Sequence, residues 1–216
     1  MTKKSEMKEV AMENTIKELH VAYRKLNEVF FKNALPTPAI VIQSQGNRSA
    51  YGWVSVEKIW TDLSGEIAQY ELGIASEHLN NREGGYLDVI QTLLHEMCHI
   101  ANLEEGIQDC SRGNTYHNKK FKSRAENSGM MYPFDKPDSK IGFSQVVLTD
   151  ATRSIVQNIG IDESAFLIGR MDFSGAKAKK KSSSIKWECD CGTIVRSTKE
   201  VNIFCGDCGS HFEKAE

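Results

Sequence analysis

Residues 86–102, YLDVIQTLLHEMCHIAN, determine how the rest of the chain is interpreted. Their apolar side chains recur at helical spacing without an intervening Gly or Pro, which predicts one buried helix. Within it lies the pattern His95-Glu96-Met97-Cys98-His99. Residues four apart lie on one face of a helix, so both imidazoles can bind the same metal ion. Glu96, next to the first histidine, can reach a water molecule bound to that ion.

This pattern predicts a catalytic zinc site. Neutral imidazole is a good zinc ligand, and two of them leave room for a third protein ligand and an open position for water. Zinc lowers the pKa of that water, and the Glu96 carboxylate can take its proton. The alternative is a buried helix whose histidines have other partners. Burying three unpartnered polar side chains would be costly, so the metal interpretation is favoured.

The composition is that of a globular protein with one domain and a small appendage. The chain has 216 residues, 40% of them hydrophobic, and a formal charge of -2, so its overall charge does not indicate nucleic-acid binding. The N-terminal residues lack the apolar core of a signal peptide, and no apolar run is long enough for a membrane span. We therefore expect a cytoplasmic protein without a membrane partner, whose clustered cysteines bind metal.

Hydrophobic patterning places the central helix in an α+β domain with a small, mainly antiparallel sheet. The other predicted elements are helices at 6–32, 116–130 and 151–159, and strands at 39–43, 51–56, 66–74 and 144–148. We predict a loop at 103–115. The predicted organisation is a metal-binding domain at 1–145, a connecting segment at 146–173, a basic linker at 174–186 and a Cys-bearing unit at 187–216.

Three residues are candidates for the third ligand of the catalytic metal. Glu105 stands six residues after His99, Glu126 lies on the next predicted helix, and His117 opens that helix after a flexible loop. We favour His117, because it is an imidazole on an element that can dock beside the central helix. Glu105 is the second choice.

The chain resembles the SprT-like family of zinc metalloproteases, in particular its Spartan-related bacterial or phage members. The resemblance rests on LLHEMCH at 93–99, YHNKKF at 116–121, NEVFFK at 27–32 with the following LPTP, and the Cys-bearing C-terminal segment. It implies a zincin-like metalloprotease domain and supports His117 as the third ligand. Asn118 departs from the family pattern, since many members have Gly after the third histidine.

The C-terminal cysteines predict a zinc ribbon. Its four ligands would be Cys189, Cys191, Cys205 and Cys208, in two knuckles that are each followed by Gly. Such a small unit needs metal to fold. The first knuckle is Cys-x-Cys where a ribbon normally has Cys-x-x-Cys, so His211 is an alternative ligand. A redox pair or a degenerate ribbon is the alternative to a structural zinc.

Two local clusters of positive charge are candidates for nucleic-acid contact, because phosphates are bound by such clusters and an aromatic side chain beside them can stack on a base. The candidate residues are Arg112, Lys119, Lys120, Lys122, Lys179, Lys180, Lys181 and Trp187. The commoner meaning of such runs is a solvated helix face and a solubilising linker. The family resemblance favours DNA.

Together these observations predict a zinc metallopeptidase with one catalytic and one structural Zn²⁺. The resemblance implies protein substrates attached to or near DNA, single-stranded or crosslinked, as partners. The alternatives are a non-enzymatic zinc-containing module that binds DNA or protein, and a zinc hydrolase acting on a small molecule. Glu96 argues against the first, since a structural zinc site has no use for that carboxylate.

Overall fold

The computed structural model describes residues 12–44, 50–79, 84–170 and 184–215. The chain divides into two compact units, residues 1–171 and 172–216. Residues 6–11 of the predicted first helix and Lys179, Lys180 and Lys181 of the predicted nucleic-acid interface lie outside the described residues.

Among the described residues, the first unit contains four α-helices and nine short strands. The helices are α1 (Met12–Phe31), α2 (Tyr86–Glu104), α3 (Lys119–Asn127) and α4 (Asp150–Asn158). The strands are β1 (Ala39–Gln43), β2 (Gly52–Val54), β3 (Trp60–Thr61), β4 (Ala68–Gln69), β5 (Glu71–Ala75), β6 (Cys110–Ser111), β7 (Tyr116–His117), β8 (Met130–Met131) and β9 (Val147–Leu148). The unit is thus α+β, as predicted. Among the described residues, no helix has the length and apolar character needed to cross a bilayer.

The main sheet has the strand order β1-β5-β2 and is mixed rather than mainly antiparallel. β1 runs parallel to β5 along its whole length, and β2 pairs with β5 in the antiparallel sense. A β-branched stretch such as β1 is compatible with either direction, so its residues do not reveal the partner. Ile40, Leu72 and Ile74 belong to the core that α1 and α2 form on one face of the sheet. On the other face, the Trp53 ring fills the space that a side chain at Gly73 would need.

Helix α2 is the most buried helix in the described part of the unit. Its apolar residues at helical spacing, among them Val89, Leu93, Met97 and Ile100, are almost completely buried. The helix follows Gly85, whose φ is +59°, and ends just before Gly106, whose φ is +66°. The predicted helix at 86–102 is therefore confirmed with two further residues at its end.

The segment from Val146 to Phe166, predicted as a connection, packs on the core of the first unit. Its ties to α1 are long-range: Thr15 Oγ1 donates to the Ala165 carbonyl at 2.6 Å, and Lys25 Nζ to the Ile159 carbonyl at 2.6 Å. Helix α4 begins after the cap residue Thr149. These contacts place α4 against the same core as α2.

A β-hairpin, β6–β7, lies within the predicted loop and the start of the following predicted helix. Cys110 pairs with His117, and three consecutive left-handed residues, Arg112, Gly113 and Asn114, close the turn. Helix α3 begins only after Asn118, whose side chain accepts from the amides of Lys120 and Phe121. His117 therefore lies on a strand, and Asn118 is the helix cap.

The second unit is a three-stranded antiparallel sheet with a small core. Its strands are β10 (Ile185–Glu188), β11 (Ile194–Ser197) and β12 (Glu213–Lys214), in the order β11-β10-β12. The buried residues are Trp187, Cys189, Cys205 and Phe212. So few apolar side chains cannot stabilise a fold by themselves.

Candidate metal centre

Three histidines meet between α2 and β7. Nε2 of His117 lies 3.1 Å from Nε2 of His95 and 3.1 Å from Nε2 of His99. Two imidazole nitrogens at the usual Zn–N distance in a tetrahedral site are separated by about 3.3 Å, so this spacing fits one zinc ion. The group of His95, His99 and His117 is thus a possible metal-binding site.

The electrostatics of His95 and His117 favour the neutral, metal-binding form. Burial also acts to lower the pKa of His99, but the hydrogen bond to Asp109 and the charges of Glu96 and Asp109 outweigh burial and raise that pKa. Burial, followed by the neighbouring His99, lowers the pKa of His117 to about 4, and burial places the pKa of His95 well below its usual value. Only neutral imidazole has a free lone pair on Nε2.

A carboxylate orients the ring of His99, the second histidine of the motif on α2. Oδ2 of Asp109 lies 2.8 Å from Nδ1 of His99 and accepts from Nδ2 of Asn102 at 2.8 Å. Burial acts to raise the pKa of Asp109, but the hydrogen bonds from His99 and Asn102 hold it below its usual value. A carboxylate only accepts, so His99 donates from Nδ1 and, in its neutral form, presents the Nε2 lone pair to the point where the three imidazoles meet.

Helix α3 supplies the floor of the histidine group. The ring of Phe121 is fully buried, and its centroid lies 4.6 Å from that of His95, 4.7 Å from that of His99 and 4.6 Å from that of His117. Phe121 and Ala125 are the buried residues of this helix. Phe121 leaves no space behind the imidazoles, so their nitrogens face one another.

A later segment, residues 138–143, fixes the backbone of His117. The His117 amide donates to the Ile141 carbonyl at 3.0 Å, and the Phe143 amide donates to the His117 carbonyl at 3.0 Å. Gly142 lies directly against this carbonyl, at a φ of +66°, and a Cβ atom there would overlap the oxygen. We call residues 138–143 the strap.

Glu96 is buried on α2 beside the histidines. Burial is the main cause that raises the pKa of its carboxyl to about 7. A Cβ atom built on Gly52 of β2 would lie 2.9 Å from Oε1 of Glu96 and 2.8 Å from Cγ2 of Thr92. Gly52 therefore makes room for the carboxylate at the edge of the main sheet.

The edge that Gly52 belongs to has unpaired backbone groups. The Ala75 amide donates to the Tyr51 carbonyl at 2.9 Å and the Ser55 amide to the Glu71 carbonyl at 3.0 Å. Because bonded pairs alternate along an antiparallel ladder, the backbone N–H and C=O groups of Gly52 and Val54 point away from β5. In the part of the chain that the structure describes, no strand pairs with this outer edge of β2.

The two acidic candidates for the third ligand have other partners. Glu105 forms an ion pair with Arg124, which also donates from Nε to Oδ1 of Asn102 at 3.0 Å. Glu126 lies 3.6 Å from Nζ of Lys122. Neither belongs to the histidine group.

The second unit brings its four predicted cysteine ligands together. Their sulfur atoms all lie within 4.8 Å of one another, with Cys189 and Cys191 at 3.0 Å and Cys191 and Cys205 at 3.6 Å. A tetrahedral zinc ion with four thiolates separates the sulfurs by about 3.8 Å, so the group fits zinc despite the short first knuckle. Hydrogen bonds from Cys189 and Thr193 lower the pKa of Cys191 to about 6. His211, the alternative ligand, lies outside the group and contacts Asn202.

Each knuckle is closed by a glycine in the left-handed region. The Gly192 amide donates to the Cys189 carbonyl at 2.8 Å, and the Gly209 amide to the Cys205 carbonyl at 2.9 Å. The φ angles are +84° at Gly192 and +73° at Gly209. The first turn is one residue shorter than the second, which shows how Cys-x-Cys is accommodated.

The predicted nucleic-acid contacts are only partly free for that role. Arg112 stacks on Tyr116, with its Cζ atom 4.4 Å from the ring centroid, and donates to the Ser139 carbonyl at 2.8 Å. Lys122 is paired with Glu126, whereas Lys119 and Lys120 are exposed. The prediction that Trp187 stacks on a base is wrong, since its ring is buried and its Nε1 donates to Ser197 at 2.8 Å.

Sequence reasoning did not identify Asp109, the strap or the free edge at Gly52. The sequence does contain a signal for the hairpin that positions Asp109, because Gly113-Asn114 lies between two short extended stretches. The sequence analysis also did not identify Phe204, which is the strongly exposed aromatic residue among the described residues of the second unit. No local signal marks the strap or the edge strand.

Comparisons with known proteins agree with this geometry. The model of the SprT-like family matches residues 19–141, more than half of the chain, and includes all three histidines and Glu96. Searches of the curated proteins and of the solved structures found no match. The extent of the family match shows that the chain belongs to the SprT-like family.

Proposed function

We propose that the first unit is a zinc-dependent metallopeptidase. The observation that supports this most is the buried Glu96 carboxylate, held beside three convergent imidazoles and against Gly52 at an open sheet edge. A purely structural zinc site would be closed by four ligands and would not keep a buried carboxylate next to an accessible edge.

Each residue of the site has a separate role in the proposed peptide hydrolysis. His95, His99 and His117 would hold the metal, which supplies an activated water and polarises the scissile carbonyl. Glu96 accepts the proton of the attacking water and returns it to the leaving amine. Asp109 keeps His99 in the tautomer that ligates.

The open edge of β2 is where an extended polypeptide would bind. The outward backbone groups of Gly52 and Val54 can form main-chain hydrogen bonds with a substrate strand, which passes Glu96 as it passes Gly52. Binding through the backbone accepts many sequences, which suits a peptidase of broad specificity.

We further propose that the substrates are proteins attached to or near DNA. The supporting features are the exposed Lys119 and Lys120 in the first turn of α3 and the exposed Phe204 of the ribbon, which replaces Trp187 as the stacking candidate. Lys179, Lys180 and Lys181 stay candidates on the basis of sequence.

The test compares the zinc-loaded full chain with Glu96→Gln on an unfolded protein substrate, with and without single-stranded DNA. We expect cleavage by the wild type and a loss of about 10²–10⁴-fold in Glu96→Gln at unchanged zinc content. Equal cleavage by both proteins, or no cleavage by a fully zinc-loaded wild type, would refute the peptidase. We also expect single-stranded DNA to raise the rate by bringing the enzyme and its substrate together, and equal rates with and without DNA would contradict this part of the proposal.

A further inference from the structure

An exposed apolar arm extends the strand pair β2–β5 beyond the metal centre. The arm comprises residues 55–71 and contains the hairpin β3–β4, in which Trp60 pairs with Gln69. Residues 56–59 are opposed only by Tyr70, so a bulge separates the hairpin from the main sheet. At about 3.3 Å per residue, the arm begins roughly 10 Å along the strand from Gly52.

The arm displays large apolar side chains instead of burying them. Five of these side chains are exposed over roughly half or more of their surface: Val56, Ile59, Trp60, Leu63 and Ile67. The Trp60 indole is held in place, since its Nε1 donates to Oε2 of Glu71 at 3.1 Å while Trp53 Nε1 donates to Oε1 at 3.0 Å. Exposed apolar residues grouped on one short hairpin indicate a binding surface.

The charge of the arm identifies the partner. Its acidic residues are Glu57, Asp62, Glu66 and Glu71, against the single basic residue Lys58. Lys58 lies 2.9 Å from Oε1 of Glu104, so that carboxylate on α2 balances its charge. A surface that is both apolar and acidic repels nucleic acid and attracts a polypeptide that is apolar and basic.

We propose that the apolar arm is a substrate-docking surface that selects polypeptide segments rich in apolar and basic residues. The inference rests on the proposed peptidase function and gives it a substrate class. Along the chain, the outer edge of β3 follows the free edge of β2 after the bulge at residues 56–59 and is likewise unpaired in the described chain. Selection therefore acts on residues three or more positions from the bond that is cleaved.

The test measures binding to the zinc-loaded Glu96→Gln full chain, which separates docking from cleavage. The probe is a fluorescein-labelled peptide of alternating Leu and Lys, compared with peptides in which Glu replaces Lys or Ser replaces Leu. Fluorescence anisotropy gives each Kd. We expect both altered peptides to bind at least about tenfold more weakly.

Two sets of substitutions in the arm test its role. The first is Ile59→Ser, Leu63→Ser and Ile67→Ser, which alters exposed side chains only. The second is Glu57→Lys with Glu66→Lys, and spares Asp62 because its Oδ1 accepts the Ile67 amide at 2.9 Å. Each set should raise the Kd of the Leu-Lys peptide about tenfold. The matched control is Val29→Ser with Ile155→Ser, two exposed apolar residues on α1 and α4, which should leave it unchanged.

The outcomes separate this inference from the proposed function. An unchanged Kd in both arm variants, or an equal loss in the control, would overturn the docking surface even if the wild type cleaves proteins. A loss of labelled single-stranded DNA binding in the apolar variant, with unchanged peptide binding, would assign the arm to nucleic acid and also overturn it. A wild type without peptidase activity would instead refute the proposed function. The peptide-binding comparison would still decide whether the arm is a docking surface.

Discussion

Asp109 accepts from Nδ1 of His99 at 2.8 Å and from Nδ2 of Asn102 at the same distance, so one carboxylate links the metal centre to the end of α2. Removing it frees the His99 ring to rotate and to change tautomer. We expect Asp109→Ala to weaken zinc binding at the histidine site by about 10–100-fold. Competition with a chromophoric chelator measures this affinity. Asp135→Ala, at an exposed carboxylate, is the control, and equal affinities in the two variants would contradict the prediction.

A substitution in the strap is a second test of zinc binding at the histidine site. In Gly142→Ala the new methyl group overlaps the His117 carbonyl oxygen and pushes β7 out of place. Gly106→Ala is a closely matched control, because Gly106 has the same φ of +66° and nothing within 4 Å of its Cβ position. Both variants share a left-handed strain of about 1–2 kcal/mol. Only Gly142→Ala should also lose zinc affinity and further thermal stability. Calorimetry with and without zinc would measure both changes. Equal changes in the two variants would mean that the strap does not hold His117 in place.

Gly52 controls the position of Glu96 rather than metal binding. Gly52→Ala places a methyl group 2.9 Å from Oε1 of Glu96, which forces the carboxylate to shift. We expect kcat/KM for an unfolded protein to fall about tenfold or more, because proton transfer depends on this position, at unchanged zinc content. Gly206→Ala in the second unit, with open space around its Cβ position, should keep full activity. Loss of zinc in Gly52→Ala would mean that Gly52 supports the ligands instead.

Metal content tests both sites at once. The full chain should bind two zinc ions, which native mass spectrometry would count. His117→Ala and Cys205→Ser should each bind one, and the double variant none. If His117→Ala keeps both ions, another residue completes the histidine site. If Cys205→Ser keeps both, Cys205 is not a required ligand of the second ion.

Removal of metal should unfold the second unit alone. The core formed by its described residues has only four buried members, whereas the first unit has a large continuous core. Structural zinc supplies the folding energy of such small units. Chelation should therefore abolish amide protection in residues 185–214 and leave α1 protected, as hydrogen exchange with mass spectrometry would show. Retained protection in 185–214 would mean that the sheet folds without metal.

The elements that sequence predicted well are those specified by their own residues. Helix α2 has an apolar stripe without interruption and a glycine next to each end, so its position was predicted to within two residues. The cysteine group follows from four residues in two nearby knuckles. In both cases the contacts that matter lie within one segment.

The features that sequence did not predict depend on partners far along the chain. β1 pairs in parallel with β5, and nothing in AIVIQ favours that neighbour over an antiparallel one. Asp109 is one acidic residue among several in a polar segment, and only the hairpin β6–β7 brings it to His99. Gly52 and Gly142 are ordinary glycines until Glu96 and His117 are seen beside them.

The strap also sets the order in which the site is completed during synthesis. The N-terminus leaves the ribosome first, so His95, Glu96 and His99 are outside while Ile141 and Phe143, which hold His117, are still to be made. A partly synthesised chain thus has two imidazoles and a carboxylate, but no fixed third imidazole. The proposed hydrolytic centre therefore stays incomplete until the whole region matched by the family, residues 19–141, has emerged.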